Sequence, residues 1–149
     1  MPRIDIAQVA ERLGSGYPAP YDQPCAGRGR RALGDGAGLD QFGVNLLRLP
    51  PGQWSSQRHW HSAEDEFVYV LQGEVVLVTN AGETVLRAGD CAGFAAGVAD
   101  GHHLQNRGGA PALLLEVGSR RPADDATVYP DIDLAWPAGG AAYARAGTL

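Results

Sequence analysis

The sequence contains no lysine, and all 12 of its basic residues are arginines. Lysine Schiff-base chemistry and a lysine general base are therefore excluded. The two cysteines, Cys25 and Cys91, lie far apart and form neither a disulfide framework nor a C-x-x-C motif. No apolar run approaches the roughly 18 residues that a membrane-spanning helix needs, and the N-terminus lacks the apolar segment of a secretory signal. We expect a reduced, cytoplasmic protein without a membrane partner.

Positive charge is also scarce. The formal net charge is −5, whereas nucleic-acid-binding domains usually carry a basic face. Arg28, Arg30 and Arg31 form a short basic cluster in a glycine-rich segment, and the ordinary interpretation of such a cluster is a solvated loop. The sequence thus predicts no nucleic-acid partner.

Glycine and proline, in contrast, are abundant, with 21 and 10 residues in a chain of 149. This length fits one domain, and frequent turn residues favour many short strands over long helices. Segments with the apolar pattern of strands are separated by glycine or proline turns: 41–49, 66–72, 74–79, 83–87, 90–95, 102–106 and 112–118. Short strands at regular spacing predict a β-sandwich or a closed β-barrel over residues 41–119.

The two ends of the chain have a different texture. Within residues 1–40, the apolar spacing of 4–13 predicts a short amphipathic helix, and the remainder is a glycine- and proline-rich arm. Such an arm either packs along its own barrel or crosses to a partner subunit. Residues 120–149 form a polar, proline-rich tail, which we expect to pack irregularly on the barrel with Tyr129 and Trp136 as anchors.

Residues 59–73 contain the first candidate ligands. His59 and His61 are two residues apart, so on a strand their imidazoles point to the same face. Glu66 follows after a turn-length gap and opens an apolar strand, where a carboxylate is costly unless it is paired or binds a metal. Nitrogen and oxygen ligands around one face suit zinc, manganese, iron, nickel or cobalt. We therefore predict one divalent transition metal ion as a cofactor.

A second segment contains the remaining two of the four histidines, His102 and His103. Because they are adjacent, only one of them can face the interior of a barrel. That residue would complete a shell of three histidines and one glutamate, which leaves positions of a six-coordinate metal open to substrate. Open positions are typical of catalytic rather than structural metal sites.

The two segments resemble the two motifs of the cupin superfamily. The matching residues are, in order, Gly52, His59, His61, Glu66 and Gly73, then Gly89, Gly97, His102 and Asn106. Three departures occur: Gly52 and His59 are one residue further apart than usual, Ala95 stands at the usual proline, and four residues instead of two precede His102. The resemblance covers about residues 41–119.

The resemblance implies an all-β fold, the double-stranded β-helix or jelly-roll barrel, and a homodimer. It also implies that the metal ligands are His59, His61, Glu66 and His102, since the spacing to Asn106 selects His102 over His103. The chain is similar to small single-domain bacterial cupins that are loosely named sugar-phosphate isomerases.

A shell with open positions favours an enzyme. We expect a metal-dependent cupin that chelates a small oxygen-rich molecule and acts as an isomerase, a lyase or decarboxylase, or a dioxygenase. The alternative is a non-catalytic sensor or carrier that binds a small molecule. The glycine-rich first 40 residues do not fit a helix-turn-helix, which disfavours a DNA-binding regulator.

Several neighbours of the ligands are candidates for supporting roles. Asn106 is expected to stabilise its own turn or to orient His102, and His103 would serve in the same environment if it is not a ligand. Asn45 and Arg48 lie on opposite faces of one predicted strand, so only one can reach the cavity. Arg48 would suit a carboxylate clamp for an anionic substrate.

Overall fold

Short strands dominate the computed structural model, which describes residues 2–148. The strands are β1 (Glu11–Leu13), β2 (Gly29–Ala32), β3 (Phe42–Leu49), β4 (Trp60–His61), β5 (Glu66–Gln72), β6 (Glu74–Thr79), β7 (Gly82–Arg87), β8 (Cys91–Phe94), β9 (His103–Gln105), β10 (Ala112–Ser119), β11 (Thr127–Tyr129) and β12 (Leu134–Trp136). Single turns of 3-10 helix occupy Ile6–Gln8, Gln23–Cys25, Asp35–Ala37 and Ala146–Thr148. The seven predicted strands are all present, and their bounds differ from the prediction by at most one residue.

The strands are arranged in one six-stranded and two three-stranded sheets. The large sheet has the order β1-β2-β3-β10-β5-β8, and the smaller sheets have the orders β12-β11-β4 and β7-β6-β9. Neighbouring strands in these sheets are antiparallel. This arrangement is an antiparallel jelly roll, so the predicted all-β fold class is confirmed.

The core lies between the large sheet and the sheet of β6, β7 and β9. Its buried apolar side chains come from alternate positions of the strands: Leu47, Leu49, Val68, Val70, Val75, Leu86, Leu104, Ala112 and Leu114. Along β5, the residues that alternate with the buried valines are more exposed: Phe67, Tyr69 and Leu71 are 38%, 37% and 44% exposed. The predicted homodimer would cover this apolar row, and it stays a prediction.

The helix predicted within residues 4–13 is wrong. Only Ile6–Gln8 form a helical turn, and Glu11–Leu13 pair with β2 at the edge of the large sheet. An isolated helix of about ten residues is marginal in water, whereas strand pairing satisfies the same backbone groups. The chain therefore places its N-terminal arm along its own barrel.

The C-terminal tail is more regular than expected. It contains β11 and β12, and β11 pairs with β4 through Thr127 opposite His61. Tyr129 is buried, as its predicted role as an anchor requires. No helix among the described residues is long and apolar enough to cross a membrane.

Candidate metal centre

Three backbone segments bring the motif histidines and the glutamate together. His59 and His102 are joined by a pair of backbone hydrogen bonds, with N–O distances of 3.1 and 2.9 Å. His61 lies two residues further along the same extended segment, so its imidazole faces the same side. Glu66 opens β5, where it is held between Phe94 of β8 and Gly118 of β10.

The imidazoles of all three histidines converge on the carboxylate of Glu66. Its oxygens lie 2.5 Å from Nε2 of His102, 3.2 Å from Nε2 of His61 and 3.4 Å from Nε2 of His59. One potential ligand atom from each of His59, His61 and Glu66 falls within a group whose members are all within 4.8 Å of one another. The structure thus brings together the four side chains that the sequence singled out.

The opposite ring nitrogens of these histidines are all occupied by oxygen acceptors. Nδ1 of His59 lies 2.9 Å from the carbonyl oxygen of Gln57, and Nδ1 of His102 lies 3.1 Å from that of Asp100. Nδ1 of His61 lies 2.7 Å from Oδ2 of the buried Asp125. Carbonyl and carboxylate oxygens only accept hydrogen bonds, so each Nδ1 carries a proton.

These hydrogen bonds determine what the site can hold. A neutral imidazole with a proton on Nδ1 presents the lone pair of Nε2 toward Glu66, and lone pairs facing a carboxylate repel one another. The arrangement is stable only when protons or a cation lie between these atoms. A divalent metal ion provides that charge, so the donor set fits a metal ion with nitrogen and oxygen ligands.

Without such an ion, protons must supply the positive charge. Burial acts to raise the pKa of Glu66, but hydrogen bonds from His102, His59 and His61 hold that pKa well below its usual range. Burial likewise acts to lower the pKa of His61, but the carboxylates of Glu66 and Asp125 outweigh it and raise the pKa to about 9. A metal ion would therefore compete with a proton on His61.

Of the two adjacent histidines, His102 joins the cluster. Its ring stacks on that of Phe94, with centroids 3.6 Å apart and planes 4° from parallel. The ring of His103 bonds elsewhere and not to Glu66: its Nδ1 lies 2.8 Å from the carbonyl oxygen of Ser56, and its Nε2 lies 3.0 Å from the amide nitrogen of Gln105. Both nitrogens of His103 are thus already bonded, and burial lowers its pKa.

Two other predicted residues lie away from the cluster. Arg48 is paired with Glu11 of β1, at 2.6 Å, and does not line the cavity, so the structure does not support the carboxylate clamp expected of it. Its strand neighbour Asn45 lines the cavity instead. Asn106 is fully buried, and its amide donates to the carbonyl oxygens of Leu49 and Ala110, so it holds its own turn.

A cavity of about 360 Å³ opens onto the cluster. Besides the histidines and Glu66, it is lined by charged and phenolic side chains that sequence reasoning did not assign to the site: Tyr17, Arg28, Arg30, Glu64, Glu116, Arg120, Tyr129 and Tyr143. Strand alternation places Arg28 and Arg30 on the same side of the segment that enters β2, and Arg28 is only 8% exposed. The interpretation of this basic cluster as a solvated loop is therefore wrong.

Asp125 was also missed, because it lies 64 residues from His61 in a segment without any motif. Its other oxygen accepts hydrogen bonds from the backbone amides of Ala63 and Glu64, at 2.8 and 3.0 Å. One carboxylate thus holds both the turn that precedes Glu66 and the ring of His61. No local sequence signal identifies Asp125, because only the folded structure shows that it lies next to His61.

Comparisons with known proteins agree with this architecture. A family model for the cupin domain matches residues 45–118. The chain is 44% identical to a cupin-superfamily sugar phosphate isomerase from Silicibacter pomeroyi, with a TM-score of 0.92, over 99% of this chain and 94% of that one. A candidate sugar phosphate isomerase from Acidithiobacillus ferrooxidans is 29% identical, with a TM-score of 0.75, over 83% and 80% of the two chains.

The chain also resembles a more distant structure, with which the similarity shows only a common fold. The polyketide cyclase RemF from Streptomyces resistomycificus is 20% identical, with a TM-score of 0.63, over 80% of this chain and 79% of that one. A search of curated proteins finds no match to the sequence. The matched motif region and the extended similarity to the first of these structures lead to one conclusion: the chain belongs to the cupin superfamily.

Proposed function

We propose that the protein is a metal-dependent isomerase of a small, oxygen-rich sugar derivative, with His59, His61, Glu66 and His102 as ligands of one divalent transition metal ion. The observation that carries this proposal is the convergence of three Nε2 atoms on Glu66 while each Nδ1 is bonded to an oxygen acceptor. The name of the relative from Silicibacter pomeroyi favours the isomerase class over a lyase or a dioxygenase.

The bound ion would act as a Lewis acid toward a carbonyl or hydroxyl oxygen of the substrate. The chain's own residues provide the rest. Asp125 fixes the orientation and the tautomer of His61, and the stacked ring of Phe94 fixes His102. The walls of the cavity would hold the substrate against the ligands.

An isomerase also needs a group that moves a proton between adjacent carbons. Glu64 is the candidate, because it lines the cavity and one of its oxygens lies 3.8 Å from Nδ1 of His61. Its other oxygen accepts a hydrogen bond from the amide of Arg121, at 2.7 Å, which holds the carboxylate in place. The other glutamate in the wall, Glu116, is paired with Arg30 and is less available.

The first experiment measures metal content. Elemental mass spectrometry of the purified protein should find about one equivalent of manganese, iron, cobalt, nickel or zinc, and His61→Ala and His102→Ala should lose it. His103→Gln is the matched control and should retain the metal, because His103 bonds only to Ser56 and Gln105. A native protein without metal, whose melting temperature none of these ions raises, would contradict the proposal.

The second experiment addresses the reaction class. Isomerisation by proton transfer exchanges a carbon-bound hydrogen of the substrate with solvent. Aldoses and ketoses, phosphorylated and unphosphorylated, should therefore be incubated with the metal-loaded protein in D₂O and followed by NMR. Metal-dependent deuterium incorporation beside the carbonyl carbon is expected for the substrate. Oxygen consumption or loss of carbon dioxide without such exchange would favour dioxygenase or decarboxylase chemistry instead.

A further inference from the structure

The N-terminal arm places a buried cation in the wall of the cavity. Arg28 is only 8% exposed, and its guanidinium donates to two backbone carbonyls, that of Gly14 at 3.0 Å and that of Ser55. Among residues 2–148, no carboxylate lies within ion-pairing distance of it. A buried charge is costly unless it is paired, so a cation without an acidic partner at a cavity wall indicates that its partner is a ligand.

A second arginine lies beside it. Arg30 lines the same cavity and is paired with Glu116 through two hydrogen bonds of 2.9 and 3.2 Å. Burial and the adjacent charge of Arg30 both lower the pKa of Arg28. Of these two neighbouring guanidinium groups, only that of Arg30 has a carboxylate partner, so the local excess is one positive charge.

The balance of the whole cavity points the same way. Its lining includes three arginines and three glutamates, whose formal charges cancel: Arg28, Arg30, Arg120, Glu64, Glu66 and Glu116. Two further carboxylates bond to residues of the lining, Asp125 to His61 and Asp35 to Arg120, and Glu116 pairs with Arg30, so the guanidinium in this wall without a carboxylate of its own is that of Arg28. A phosphate monoester carries about −1.5 to −2 charges at pH 7 and three acceptor oxygens, which suits an unpaired guanidinium.

Neutral donors complete the environment. Tyr17 and Tyr129 line the cavity with ring centroids 5.5 Å apart, and both are buried. Burial raises the pKa of Tyr17 to about 12, so its phenol stays protonated at neutral pH. Phenolic O–H groups and guanidinium N–H groups are the donors that phosphate oxygens accept from.

We propose that Arg28 and Arg30 form a subsite for the phosphate monoester group of the substrate, in the same cavity as the histidines. Only the identity of the molecule that carries the phosphate rests on the proposed function. Arg28 supplies the unpaired charge, and Arg30 contributes once its bond to Glu116 loosens. The substrate class is then a small phosphorylated sugar or polyol derivative whose other end reaches the histidine cluster.

The test titrates the full-length, metal-free protein with inorganic phosphate in a calorimeter. Saturable binding is expected, and Arg28→Met should weaken it by about tenfold or more, as removal of a charged hydrogen-bond donor does. Arg48→Met is the matched control, because it removes the same charge from an ion pair outside the cavity, and it should bind phosphate as the wild type does. Equal affinity of Arg28→Met and the wild type would overturn the proposal.

A gain-of-binding variant guards against simple misfolding of Arg28→Met. Glu116→Gln removes the carboxylate that competes for Arg30, so phosphate should bind several-fold more tightly. No gain in this variant would overturn the part assigned to Arg30, and acetate binding as tightly as phosphate would overturn the assignment to a phosphate group.

The outcome is separable from that of the proposed function. If metal binds at the histidines but phosphate binding does not depend on Arg28, the subsite is overturned and the proposed metal centre stands. If phosphate binds through Arg28 but no metal binds, the subsite stands and the proposed function fails.

Discussion

Asp125→Asn tests the tautomer argument more sharply than removal of a ligand. The asparagine carbonyl can still accept from the amides of Ala63 and Glu64, so the turn before Glu66 is preserved. Its NH₂ group, however, would donate to Nδ1 of His61 in place of the present acceptor, at 2.7 Å. The proton of the neutral imidazole would then move to Nε2, which removes the lone pair that a metal needs.

The size of the effect follows from this geometry. Loss of a partner that orients a ligating histidine typically lowers metal affinity by about 10- to 100-fold, or about 1.4 to 2.7 kcal/mol. Asp125→Asn should lie at the upper end of this range, because it opposes the required tautomer and does not merely loosen the ring. His61 can restore the lone pair only by giving up this hydrogen bond.

The assay is competition for metal between the metal-free protein and a chromogenic chelator. Asp124→Asn is the matched control, since it removes the same charge from the neighbouring residue. The side chain of Asp124 is 60% exposed and pairs with Arg121. Circular dichroism should show the same fold for both variants. The reasoning is refuted if Asp125→Asn keeps its fold and binds metal as tightly as Asp124→Asn.

Three other changes have distinct expected outcomes. In the metal-free protein, the pKa of His61 is about 9, above its unfolded value of about 6.5. Protonated His61 therefore contributes up to about 3 kcal/mol of stability below pH 6.5, and this contribution is lost as the pH rises through 9. Thermal unfolding at pH 6 and pH 10 should show the loss in the metal-free protein, and bound metal should abolish this pH dependence. Glu64→Gln should abolish solvent deuterium exchange into the substrate while the metal content stays unchanged, and normal exchange would exclude Glu64 as the proton carrier. Gly73→Ala should destabilise the fold by about 1 to 3 kcal/mol in urea unfolding, because the φ of Gly73 is +83° and a Cβ would lie 2.9 Å from the carbonyl oxygen of Pro111. Gly109→Ala is the control and should have little effect, because no atom lies near the position of its Cβ.

The strands of the barrel could be predicted from the sequence because each is indicated by residues that are close together in the chain. Runs of β-branched, aromatic and other apolar residues within 66–72 and 74–79, bounded by Gly73 and Asn80, predict strands whose observed bounds are the same. The choice of His102 over His103 follows from the resemblance to the second cupin motif, in which the spacing to Asn106 marks the histidine that is a ligand. In each case the deciding residues lie within a few positions of one another.

The errors occur where long-range pairing decides the structure. Residues 4–13 carry a helical apolar spacing, but the pairing of Glu11–Leu13 with β2 overrides it, and Leu13 is 67% exposed. Arg28 lies in a segment with the composition of a loop, but in the fold it is buried and bonds to the distant carbonyl groups of Gly14 and Ser55. Nothing near Asp125 in the sequence indicates that it will meet His61.

The barrel supplies the proposed metal ligands, and the two ends of the chain supply much of the rest of the cavity wall. The four proposed ligands and the stacked Phe94 all lie within residues 41–119, whereas Arg28, Arg30, Tyr17 and Tyr129 reach the same cavity from outside that range. Similarity confined to the barrel therefore predicts an imidazole–carboxylate cluster and leaves the substrate undetermined. If the N-terminal arm recognises the substrate, a chimera that keeps residues 41–149, and with them Asp125, but exchanges residues 1–40 with those of another cupin should retain metal binding and lose phosphate binding.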